Sequence, residues 1–76
     1  MDESALGRVL TALGGRENIV EARLAASRVC LELRDPARVD EATLIAAVRA
    51  VARPTPGSVH LVLGPAAAAW HARLTV

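Results

Sequence analysis

Apolar residues recur at two spacings along this chain, and each change of spacing marks a new element. Leu6, Val9, Leu10 and Leu13 fall at i, i+3, i+4 and i+7, which predicts a helix over 4–13 with Asp2 or Ser4 placed to cap it. Gly14-Gly15 ends the pattern, because glycine readily takes the left-handed conformation in which helices stop. From Ile19 the period becomes two. Val20, Ala22 and Leu24 fall on one face, with Glu21 and Arg23 on the other. Ser27 to Arg34 repeats it, with Val29, Leu31 and Leu33 inward and Arg28, Cys30, Glu32 and Arg34 outward. Asp35-Pro36 then breaks the strand.

The second half of the chain reads the same way. Asp40 is a good N-cap for a helix over 40–50, and Val39 with Leu44 occupies the N′ and N4 positions of a hydrophobic staple. Leu44, Ala47, Val48 and Val51 form its apolar stripe, leaving room for a short strand around Ala50 to Arg53 before the turn Arg53-Pro54-Thr55-Pro56-Gly57. Val59, Leu61 and Leu63 alternate with Ser58, His60 and Val62 as a last strand. Gly64-Pro65 opens a helix over 65–73, with Trp70 and Leu74 four apart on one face.

The order α-β-β-α-β-β-α predicts an α+β fold, a small two-layer sandwich with a four-stranded, mainly antiparallel sheet and three helices on one face. The first two strands form a hairpin over 18–34 that turns at Ala25-Ala26. In that register Val20 faces Leu31, Ala22 faces Val29, and Arg23 stands opposite Arg28. Like charges directly opposite cost roughly 0.2–1 kcal/mol, which a bound anion would offset. The expected inward positions are Val20, Ala22, Val29, Leu31, Leu33, Val59, Leu61 and Leu63.

Composition narrows the possible functions. Seventy-six residues make one domain, residues 1–76, and 53% of them are hydrophobic with one Trp and no Phe or Tyr, so the core is aliphatic. All nine cationic residues are Arg, and the net charge is +1. With acids and arginines interspersed and base-stacking aromatics missing, nucleic-acid binding is not expected. A single Cys forms no internal disulfide, which fits a reducing compartment. No apolar run reaches the roughly 20 residues that span a bilayer, so no direct membrane insertion is expected. The acidic start is unlike a signal peptide, so the expected location is cytoplasmic.

Leu13-Gly14-Gly15, Glu17-Asn18-Ile19-Val20, Ser27-Arg28, Asp35-Pro36, Val39-Asp40 and Gly64-Pro65 occur in an order that resembles the glucose-family enzyme IIB (EIIB) domain of the bacterial phosphoenolpyruvate-dependent sugar phosphotransferase system. The resemblance covers nearly the whole chain. It implies a phosphoryl carrier whose hairpin turn reads Cys-x-Thr-Arg-x-Arg, the cysteine taking phosphate from enzyme IIA and passing it to sugar. At the cysteine position this chain has Ala25. Ser27 replaces the threonine, Arg28 keeps the first arginine, Cys30 takes the place of the second, and Arg23 replaces the acid two residues before the cysteine. The partners implied are enzyme IIA-like or other phosphotransferase-system proteins and a membrane sugar permease component; no cofactor is implied.

The candidate chemistry follows from these positions. A thiolate can accept a phosphoryl group and a neighbouring arginine can hold its oxygens, but alanine does neither, so the expected module binds or regulates and does not carry phosphate at Ala25. Arg23, Ser27 and Arg28 are the expected phosphate-binding residues. Cys30 is the substitute acceptor, about 6.5 Å along the strand from Arg28 on the outward face. Against it, a half-buried cysteine inside a strand is usually inert. An active phosphocarrier and a structural part of a sugar-transport assembly are the competing functions. His60 shares the outward face, where the resembled family usually has Gln; His71 lies near the C-terminus. One Cys and two distant His residues predict no metal site. Trp70 is read as core or rim packing, or as an anchor for a partner.

Overall fold

A computed structural model describes residues 3–75, and in it the first apolar stripe forms α1, Glu3–Ala12, burying Leu6, Val9 and Ala12. Asp2, one of the two expected caps, lies outside the described residues; Ser4 sits within the first turn and accepts a hydrogen bond from Arg8 Nη1 at 3.1 Å. After Gly14-Gly15 and one 3-10 turn come β1, Ile19–Ala25, and β2, Arg28–Leu33. Then follow α2, Glu41–Ala47; β3, Ala50–Ala52; β4, Ser58–Val62; and α3, Ala67–Leu74. The four strands form one antiparallel sheet in the order β1-β2-β4-β3. The α+β architecture and its element order are those the periodicity predicts.

All three helices cover the same face. Leu6, Val9, Leu13, Leu44, Ala67, Trp70 and Leu74 join Val29, Leu31, Leu33, Val59, Leu61 and Leu63 in one buried cluster. Leu31 is 1% exposed whereas its neighbour Cys30 is half-buried, which fixes the face assignment of β2. Trp70 belongs to this core, so it is not available as a partner anchor.

The hairpin register differs from the expected one. Arg23 pairs with Cys30, Leu24 with Val29 and Ala25 with Arg28, so the tip is Ala26-Ser27 and every expected pair is displaced by two residues. Displacement by an even number leaves each side chain on its own face. What moves the tip is an anchor: the Ser27 carbonyl accepts hydrogen bonds from the amides of Leu63 and Gly64, at 2.9 and 3.0 Å. A second difference lies at the start of β1. Between Ile19, which pairs with Leu33, and Glu21, which pairs with Glu32, the ladder gains one residue on β1. This bulge sends Val20 to solvent, 61% exposed, and packs Ile19 against the core in its place. Leu24 is also 45% exposed, near the tip.

Two helices end differently from their patterns. Val48 leaves α2 in an extended conformation, φ −127° and ψ 170°, so the helix stops at Ala47, and Val51, which continues the helical spacing, points inward from β3. The last helix is preceded by a 3-10 turn over Gly64–Ala66 that contains Pro65. The Asp40 cap forms as expected: its carboxylate accepts from Thr43 N at 3.2 Å and from Thr43 Oγ1 at 2.7 Å. Val39 packs partly buried against the core above it.

These contacts set the acid stability. The Thr43 hydroxyl and amide hold the Asp40 carboxyl below its usual range. Arg73, whose Nη2 donates to Glu3 Oε2 at 2.8 Å, does the same for Glu3 and ties the start of α1 to the end of α3. Both groups have depressed folded-state values, so their contribution is present above the unfolded carboxylate pKa of about 4 and is lost as pH falls through the lower folded value. The thermal midpoint should therefore be flat above about pH 5 and fall below about pH 4. Asp40→Ala should lower it at neutral pH and shallow the acid limb. Parallel acid limbs in melts of parent and variant would show that the cap is not the titrating element.

Candidate functional site

Nothing covers the outward face of the sheet among the described residues, because every helix packs on the other side. Two cross-strand rows on that face carry the chemistry. Nearest the hairpin tip the row is Ala25, Arg28, Val62 and Ala50; the next is Arg23, Cys30, His60 and Ala52. The structure thus brings together four of the five positions marked in the sequence and adds His60 beside them.

The tip is held in a strained form. Ala26 has φ 56°, a left-handed conformation that L-residues other than Gly, Asn and Asp seldom adopt, and it is the only described non-glycine residue with positive φ. Such a residue costs on the order of 1–3 kcal/mol and persists where its surroundings impose it. The double hydrogen bond to the Ser27 carbonyl is that constraint. It leaves Ala25 at the end of β1, exposed, with its methyl opposite Arg28.

Arg23 and Arg28 are diagonal neighbours rather than directly opposed, so the expected like-charge clash does not arise in that form. Arg23 instead has Cys30 opposite it and Glu21 beside it, with Nε 3.5 Å from Glu21 Oε2. Arg28 is exposed and forms no ion pair with a described residue. Arg49, which the sequence reading did not single out, also reaches this end of the sheet. An added β-carbon at Gly64 would stand 3.1 Å from its guanidinium carbon, so Arg49 lies over the residue that anchors Ser27. No local pattern reveals this, since it depends on β3 and β4 pairing across the Pro-rich turn.

Cys30 has closer company than its position along the strand suggests. Alternation of hydrogen bonding, counted from the closing pair Ala25 and Arg28, makes Cys30 and His60 a non-hydrogen-bonded pair, the type whose side chains approach most closely. A thiol thus lies between an arginine on one side and an imidazole on the other, half-buried on an open face. His71 is elsewhere, with Nε2 3.1 Å from the Ala22 carbonyl oxygen at the edge of β1. Among the described residues no three His, Cys, Asp or Glu side chains converge to hold a metal ion. No helix among them is long and apolar enough to cross a membrane.

No protein-family model matches the chain, and no curated protein matches it at a significant level. Its functional reading therefore rests on the geometry of the hairpin tip and on the resemblance carried by the motifs.

Proposed function

We propose that this chain is an enzyme IIB-like domain of the sugar phosphotransferase system that has lost its phosphoacceptor and serves as a binding or regulatory module. The observation that carries the reading is the side chain at the end of β1: a methyl group, Ala25, stands opposite Arg28 where the resembled family has its thiol. A methyl can neither attack phosphorus nor hold a phosphoryl group. The uncovered sheet face supports the reading, because it leaves the hairpin tip and its arginines accessible to a partner. An enzyme IIA-like partner or another phosphotransferase-system protein would dock around the tip, in the cytoplasm, with a separate membrane permease component supplying transport.

What the tip retains is anion recognition. Arg28, with Ser27 beside it, Arg23 on the diagonal and Arg49 over Gly64, makes an exposed cationic end to the sheet. Charge-assisted hydrogen bonds favour phosphate there, while exposure leaves the contact screened by salt, so millimolar affinity is expected, about 4 kcal/mol. Titrating inorganic phosphate while following backbone amide shifts tests this. Changes confined to 23–28 and 49–64 that disappear in Arg28→Ala are the expected result; a uniform or absent response removes the site.

A second reading has one specific observation in its favour. The row Arg23, Cys30, His60 sets a thiol, the kind of nucleophile that accepts a phosphoryl group, beside a cation and an imidazole. In that reading Cys30 is the acceptor and the chain remains a phosphocarrier.

A further inference from the structure

β1 is an outer strand of the sheet, so one side of its backbone has no strand beside it. Because Ala25 and Arg28 close the two-residue turn, alternation along the ladder directs the amide and carbonyl of Ala22 and Leu24 away from β2. The contact at Ala22 agrees with this, since its carbonyl oxygen meets His71 Nε2 at 3.1 Å and α3 plugs the edge at its midpoint. Beside the plug runs a groove of about 340 Å³ between β1 and the end of α3, lined in part by Val20, Ala22, Leu74 and Thr75. Val20 and Leu24 are two of the three large apolar side chains left exposed among the described residues.

We propose that this edge is a self-association site: β1 pairs antiparallel with β1 of a second copy, centred on Ala22, and His71 holds the edge closed in the free chain. The strand is self-complementary about that residue. Laid against itself in reverse, Val20-Glu21-Ala22-Arg23-Leu24 sets Glu21 opposite Arg23 twice and Val20 opposite Leu24 twice. The Glu21 and Arg23 positions fall at non-hydrogen-bonded pairs, where opposite charges approach most closely. The Arg23–Glu21 contact within each of the two chains is exchanged for one of two equivalent contacts between them, so the number of ion pairs is conserved.

The neighbouring registers are excluded by the same charges. Sliding the pair by one residue in each chain places Glu21 against Glu21, or Arg23 against Arg23, on the two-fold axis. This palindrome identifies the occupant as a second copy, because an unrelated extended peptide has no reason to match it. The bulge at Val20 limits the paired length to about five residues. The association is consequently weak, and an edge plug of this kind is how proteins keep such strands from pairing. The proposal shares Arg23 with the anion site described above but does not rest on the phosphotransferase reading, since edge pairing involves no phosphate and is read by association state.

The test is sedimentation velocity over a concentration series. His71→Ala should strengthen dimerisation about tenfold over the parent chain. Adding Glu21→Arg should return that variant to monomer, and adding both Glu21→Arg and Arg23→Glu should restore the dimer, since the swap preserves complementarity. Slowed amide exchange at Ala22 and Leu24 should accompany each dimeric variant. If His71→Ala does not fold, the same charge series in the parent chain, read by concentration-dependent shifts at 20–24, carries the test. A His71→Ala protein no more associated than the parent would overturn the proposal. So would a dimer that survives Glu21→Arg, or a double swap that stays monomeric.

Discussion

Leu31→Ala is expected to remove roughly 2–5 kcal/mol of stability, the range for truncating a leucine in a well-packed core. Leu31 is 1% exposed and lies on β2, between β1 and β4, so the cavity opens where both sheet neighbours and the helices meet. A domain of this size has a total of about 4–11 kcal/mol, so the change takes a large share of it. The core offers little repair, because its only aromatic is Trp70 and the rest is tightly packed aliphatic. Ala25→Ser, at the exposed end of β1, should stay within about 0.5 kcal/mol. Urea unfolding followed by circular dichroism separates the two, and equal losses would contradict the assigned topology.

Leu31 was legible in the sequence because β2 and β4 have one dry face and one wet face, and a period of two records which is which. Asp40 was legible because a cap is a local interaction, formed with Thr43 three residues on. The bulge at Val20 was not, because alternation counts residues without showing where one extra is accommodated. Neither was the tip, since Ala25-Ala26-Ser27 contains none of the glycine or asparagine signals that fix a two-residue turn. Its position is set instead by the Ser27 carbonyl meeting Leu63 and Gly64, far away in the chain. The end of α2 is hidden for a related reason, as Val48 and Val51 satisfy the helical spacing although Ala50–Ala52 pairs with β4.

Asn18 shows the same limit in a polar residue. It is fully buried, and its side-chain amide donates to the carbonyls of Leu13 and Asp35 while its carbonyl oxygen accepts from Asp35 N at 2.8 Å. It joins the end of α1 to both strands of the hairpin. Gly14 is glycine for the same reason, since a β-carbon there would come within 2.8 Å of the Asn18 amide nitrogen. Nothing in local polarity distinguishes such a clamp from a surface asparagine. The candidate site was legible in the same partial way. Arg28, Cys30 and His60 were assigned to the outward face by alternation, but the row Arg23, Cys30, His60 required the β1-β2 and β2-β4 registers.

On the enzyme IIB-like reading proposed above, Ala25→Cys is expected to make the hairpin tip a phosphoryl acceptor. The new thiol would stand opposite Arg28, whose charge favours the thiolate and can hold the transferred oxygens. Incubation with a phosphorylated enzyme IIA-like donor should then add one phosphoryl group per chain, lost again on return to the parent alanine. An Ala25→Cys protein that folds but accepts nothing would assign the defect to the partner surface. Arg23 and Cys30 are the positions there that depart from the resembled motif.

The claim that this domain lacks its phosphoacceptor is tested most directly on the unmodified chain. Its intact mass should be measured after incubation with a complete phosphoenolpyruvate-driven donor cascade, under conditions that preserve thiophosphate. The expected spectrum shows the unmodified mass alone. A stoichiometric gain of one phosphoryl group, abolished by Cys30→Ala, would contradict the account and place the acceptor in the row beside His60.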